Sequence, residues 1–125
     1  MEGRYAIAKF ACDAEIPAWV NGSAFSSVTR TLEELSVVIA EASVPTGLNA
    51  FRGWRMLKVH GPFAFDETGV VSALANPLAR VGVGIFVIST FDTDYLLVQE
   101  EEIPAAVETL EHAGHRILRL ELLNS

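Results

Sequence analysis

Apolar residues gather in short runs of strand length along most of this chain, some alternating with polar residues and others β-branched or nearly continuous. Residues 5–10 alternate loosely and predict a strand. Residues 25–30 and 35–40 are two β-branched-rich runs around Thr31-Leu32-Glu33-Glu34, the pattern of a hairpin. Before them, Ile16-Pro17-Ala18-Trp19-Val20 is too short and too proline-marked for a full helix, and Asn21-Gly22-Ser23 predicts a turn. Residues 44–52 read as a connection with room for one helical turn, and 54–60 as a strand ended by Gly61-Pro62. From 68 to 81 the period changes: Val70, Val71, Leu74, Leu78 and Val81 recur at helical spacing, with Asp66 at the N-cap position and Gly82 as the stop. Pro77 removes one hydrogen bond inside this helix, at a cost of about 3 kcal/mol, so a bend is expected near 73–77. Residues 84–90 and 94–99 predict a second hairpin of nearly continuous apolar strands, which implies burial on both faces or at a subunit contact. A second helix is expected over 100–113, with Pro104 near its first turn and Gly114 after its end, and a last strand over 115–122.

The order strand, helix, strand, strand, helix, strand in the second half is the ferredoxin-like split βαβ arrangement of an α+β fold. The first half reads as a degenerate copy. Residues 30–38 echo residues 89–98, but there is no room for a full first helix between Phe10 and Phe25. The expected organisation is a degenerate unit over 1–52 and a complete unit over 53–125, sharing one core.

Half of the 125 residues are apolar, enough for a core and too many for intrinsic disorder. Nine Lys plus Arg against 16 Asp plus Glu leave a net charge of −7, which opposes attraction to phosphate backbones and anionic lipid. Nucleic acid and membranes are therefore not expected partners. A single cysteine, Cys12, makes no internal disulfide, and the start of the chain lacks the basic-then-apolar order of a secretory signal, so a reducing cytoplasm is expected.

The stretch from Gly61-Pro62-Phe63-Ala64-Phe65-Asp66-Glu67-Thr68-Gly69 through Pro77-Leu78 to Ser89-Thr90-Phe91-Asp92-Thr93-Asp94-Tyr95 resembles the tandem ACT-domain proteins related to the CASTOR arginine sensors. The likeness extends into the first half through Ile16-Pro17-Ala18-Trp19 and residues 27–38. It implies a tandem ACT fold with its first unit degenerate, small-molecule sensing, no catalytic centre and no cofactor. It also implies an amino-acid ligand held between ACT units of a homodimer. By position, the ligand residues would be Asp66, Glu67, Thr68, Gly69 and Val70 before and at the first helix, and Ser89, Thr90, Phe91, Asp92 and Asp94 on the facing hairpin. Asp94 would receive a cationic side chain, so a basic amino acid is implied.

The residues support this chemistry independently, with alternatives beside it. A helix start offers unpaired N–H groups to a carboxylate, Gly69 permits close approach, and Glu67 accepts from an ammonium. The plainer reading makes Asp66 and Thr68 helix caps and Glu67 a solvated acid. Asp92-Thr93-Asp94 could be a metal pair or a polar turn, and His112 and His115 stand on either side of a helix-breaking Gly114. No metal is expected at either. Cys12 has no adjacent base, Ser89 lacks a nucleophile elbow, and Gly82-Val83-Gly84 is in the wrong order for a dinucleotide loop. Trp19, Trp54 and Phe63 could stack on a ligand but are scattered as core residues are. A constitutive dimerisation module without a ligand is the competing function.

Overall fold

The short apolar runs coincide with most of the strands in the computed structural model, which describes residues 3–60, 70–118 and 121–123. The elements are β1 (Tyr5–Phe10), β2 (Ser26–Arg30), β3 (Leu35–Ala40), β4 (Phe51–His60), α1 (Val70–Arg80), β5 (Ile85–Ser89), β6 (Asp94–Gln99), α2 (Ile103–His112), β7 (Arg116–Leu118) and β8 (Glu121–Leu123). Short 3₁₀ turns occupy Ala18–Gly22, Glu41–Ser43 and Glu100–Glu102. The expected N-cap Asp66 lies outside the described residues.

The chain divides into two compact units, Gly3–Trp54 and Arg55–Ser125 with Met1–Glu2. In the first, strands run in the order β2-β3-β1-β4, and β1 pairs antiparallel with both β3 and β4. In the second the order is β5-β6-β4, with β8 on the far side of β4. Counted along each unit this is the same ferredoxin-like sequence of neighbours, second, third, first, fourth. The last strand departs from expectation. Instead of one strand over 115–122 there are two, β7 antiparallel to β8, and β8 parallel to β4.

Each unit closes a hydrophobic cluster. In the second, Leu57, Val59, Leu96 and Val98 of the sheet pack with Leu74 and Leu78 of α1 and Ala106 and Leu110 of α2. These are helix positions at intervals of four, which place both side chains of each pair on one face. The first unit was expected to borrow cover from the second for want of a helix, and it does not need to on this face. Leu35, Val37 and Ile39 of β3 and Ala6 of β1 are covered by Trp19 and Val20 of the first 3₁₀ turn and by Val44, Leu48 and Ala50 of the connection before β4. Irregular backbone serves as a lid here because hydrogen bonds brace it. Arg30 donates to the carbonyls of Cys12 and Ala14, Arg52 to those of Pro45 at 3.3 Å and Leu48 at 3.1 Å. Gly53, at φ +84, forms a bulge in β4 where the pairing with β1 slips, and its N–H donates to Glu41 at 2.9 Å.

Both helices end as the glycines predict. Val83 N–H bonds Leu78 carbonyl and Gly82 N–H bonds Ala79 carbonyl; His115 and Gly114 repeat this on Leu110 and Glu111. These are two Schellman motifs with glycine at positive φ. Helix α1 continues through Pro77, whose missing N–H leaves the Ala73 carbonyl without its intrahelical donor. His115 Nε2 lies 3.3 Å from that oxygen and substitutes for the proline. Removing the ring in His115→Ala should lower the unfolding free energy by about 1 kcal/mol. In a Pro77→Ala background, where the helix donor is restored, the same change should cost less, a coupling that urea unfolding of the double-mutant cycle measures.

Candidate functional site

The second hairpin joins β5 to β6 with Ser89 opposite Asp94. Within its turn the Thr90 N–H donates to the Thr93 carbonyl at 2.8 Å, and Thr90 Oγ1 donates to the same oxygen at 3.1 Å. The Thr93 N–H returns a bond to Oγ1 at 3.2 Å. Side-chain bonds of this kind hold a tight turn in one conformation. Phe91 at the tip is 76% exposed, and Asp92, Thr90 and Ser89 are exposed beside it. Asp94 differs, being partly buried. Side chains alternate along a strand, so Asp94 shares its face with Leu96 and Val98, and these lie in the cluster under α1. Asp94 and Ser89 therefore sit at the margin of the face that α1 covers. Val70 opens that helix, whereas Asp66, Glu67, Thr68 and Gly69 lie outside the described residues.

The first hairpin is built the same way. Thr31 N–H donates to the Glu34 carbonyl at 2.9 Å, and Thr31 Oγ1 accepts from the N–H groups of Glu33 and Glu34, each at 3.1 Å. Leu32 occupies the place of Phe91 and is 96% exposed. The register Arg30 to Leu35 matches Ser89 to Asp94, so the position of Asp94 is held by Leu35, which is fully buried. Thr93, not among the residues that the resemblance implies, supplies the carbonyl that the second turn depends on. The signal for it was the threonine repeated at the start of both turns.

Other candidates are placed as follows. Cys12 is partly buried and its carbonyl is taken by Arg30. Trp19 tilts against Phe10 at 6.3 Å between ring centres, Trp54 is buried edge-on to Phe51 at 5.1 Å, and Phe63 lies outside the described residues. His112 and His115 face different environments, the latter engaged with Ala73. Among the described residues no three of His, Cys, Asp and Glu come together as a metal site, and no helix is long and apolar enough to cross a membrane.

A family model described as an ACT domain matches residues 50–112, and one described as an N-terminal domain matches residues 3–47. The cytosolic arginine sensor for mTORC1 subunit 1 of Rattus norvegicus is 46% identical over 59 residues, a stretch that is 46% of this chain and 18% of that sensor. The crystal structure of an Agrobacterium tumefaciens protein superposes with a TM-score of 0.86 at 43% identity, covering 98% of this chain and 89% of that one. The aspartate kinase of Clostridium acetobutylicum, an allosteric enzyme, reaches a TM-score of 0.64 at 13% identity over 89% of this chain and 33% of the kinase, a likeness of fold alone.

If the Thr90 hydroxyl fixes the turn, Thr90→Val should lower the unfolding free energy by about 1 kcal/mol and speed amide exchange at Thr93. Hydrogen-exchange NMR reads the second effect residue by residue.

Proposed function

The chain belongs to the ACT-domain family, related to the CASTOR arginine sensors, and from that premise we propose that it is a non-enzymatic regulatory protein of the cytosol that binds an amino acid at its second hairpin. The observation that carries this reading is Asp94: a carboxylate on the helix-covered side of β6, at the foot of a turn locked by Thr90. In this reading Thr68, Gly69 and Val70 offer backbone N–H groups to the ligand carboxylate, and Asp66 holds the helix start. Glu67 receives the α-ammonium, Asp94 takes a cationic side chain, and Ser89, Thr90, Phe91 and Asp92 wall the site. Arginine and lysine are the preferred ligands. Residues 53–125 are the complete ACT-like unit and 1–52 a degenerate copy, a division supported by the common strand order and the matched Thr31 and Thr90 turns. Because Leu35 replaces the acid in the first copy, one ligand binds per chain.

The ligand sits between ACT units of a homodimer. Support comes from β5, an edge strand whose Ile85, Phe86, Val87 and Ile88 are all partly exposed and uncharged. Edges of this kind invite pairing with another chain. The first unit's edge strand β2, Ser26-Ser27-Val28-Thr29-Arg30, is polar by contrast. The same apolar edge would also suit a constitutive dimer with no ligand, and titration separates the two.

Calorimetry with arginine, lysine and leucine is the direct test. A charge-assisted hydrogen bond contributes roughly 1.5–3 kcal/mol, so Asp94→Asn should weaken arginine about tenfold or more and leucine much less. Equal losses would remove Asp94 as the side-chain receptor, and no heat from any amino acid would leave the constitutive dimer. Val87→Lys, placing a charge on the apolar edge, should shift sedimentation from dimer to monomer and abolish ligand heat. Undiminished binding by that monomer would place the site within one subunit.

A further inference from the structure

We propose that the groove between α1 and α2 is a second small-molecule site, selective for a monocarboxylate with an apolar body. Four of the arginines are engaged within their own units. Arg4 stands 4.0 Å from Glu41, Arg55 is 3.5 Å from Glu100, Arg30 holds the carbonyls of Cys12 and Ala14, and Arg52 holds those of Pro45 and Leu48. Arg80, at the last turn of α1, is exposed and engages none of the described residues. It lines a hollow of about 470 Å³, within the size range of small-ligand pockets.

The rest of the lining defines the ligand. Pro77 and Val81 from α1 and its end, with Ala113 beyond α2, give an apolar wall, and Val81 is 56% exposed there. A guanidinium binds a carboxylate through two parallel N–H groups, and His112 on the facing helix offers a further ring N–H. Glu108, one turn before His112 on the same face, sets the charge limit. It accepts from a hydroxyl or ammonium on the ligand and repels a second negative charge, which disfavours dicarboxylates and phosphate. Helix C-termini ordinarily repel anions, but here the carbonyls of Leu78, Ala79, Leu110 and Glu111 already receive the N–H groups of the two Schellman motifs. The site lies on the helices, involves no residue of the hairpin and needs no second subunit.

The test is a ¹⁵N-resolved NMR titration of the full chain with isovalerate, benzoate, succinate and inorganic phosphate. Isovalerate and benzoate should give saturable shifts at Val81 and Ala113, while succinate and phosphate give none there. Arg80→Gln should weaken the two monocarboxylates about tenfold or more, and Glu108→Gln should admit succinate. Both side chains are exposed, so the variants keep the fold, which the unchanged remainder of the spectrum verifies. Asp94→Asn, which tests the hairpin reading, should leave this site unaffected. Absence of saturable shifts at high millimolar concentration, shifts that map away from the groove, an Arg80→Gln titration like that of the parent, or succinate binding as tightly as isovalerate would each overturn the proposal.

Discussion

A sheet face made of Leu35, Val37 and Ile39, or of Leu57, Val59, Leu96 and Val98, has to be taken out of water, and each unit is organised by how it meets that requirement. Full burial of such a side chain contributes about 1.5–3 kcal/mol, so an uncovered face would leave either unit without its main source of stability. The second unit uses two helices whose leucines interlock with the strands. The first uses a 3₁₀ turn and a connection, and irregular backbone carries polar groups that a helix would satisfy internally. Arg30 and Arg52 solve this by donating to four carbonyls of the covering segments. The arginine braces are what allow a unit without an α-helix among its described residues to close its own cluster.

The choice of cover also decides where chemistry is available. Among the described residues only the second unit has α-helices over its sheet, and its hairpin opens β6 with an acid where the first opens β3 with a leucine. The two turns are near copies in hydrogen bonding, yet Leu35 is spent on the first core while Asp94 remains at the margin of the second. A buried leucine at that point improves packing. The first hairpin thus gives to its core the position that the second leaves at the margin, so two turns of similar hydrogen bonding present different surfaces.

Much of this was legible in the sequence because period and punctuation are local properties. Loose alternation located β1, β-branched-rich runs located β2 and β3, helical spacing located α1, Pro104 marked the first turn of α2, and Gly82 and Gly114 marked the helix ends because only glycine enters the left-handed conformation there readily. What escaped depends on contacts distant in sequence. Strand β4 begins at Phe51 rather than 54 because the bulge at Gly53 interrupts alternation, and that bulge is held by Glu41. The closure of the first cluster rests on Arg30 reaching Cys12 and Ala14, contacts that no pattern in 12–30 announces. The last strand is split into β7 and β8, antiparallel to each other, although residues 115–122 carry no glycine or proline signal. The hairpin half of the candidate site was readable, whereas residues 66–69 of the helix-start half lie outside the described residues.

Charge gives the last step. With 16 acids against nine lysines and arginines, the chain has carboxylates in surplus, and four of its arginines are already spent on carbonyls or acids of their own unit. A carboxylate without a resident partner is a standing attraction for a cation, and it gains strength when the surroundings are only partly wet. Asp94 meets both conditions more nearly than the exposed Asp92 beside it, because its strand carries it onto the face under α1. Arg80 is exposed, engages none of the described residues and stands beside the apolar wall of a groove in an acidic chain. The structural use of Arg4, Arg30, Arg52 and Arg55 is therefore what sets Arg80 apart as a charge open to a small anion, as its place at the margin of a covered face sets Asp94 apart for a cation.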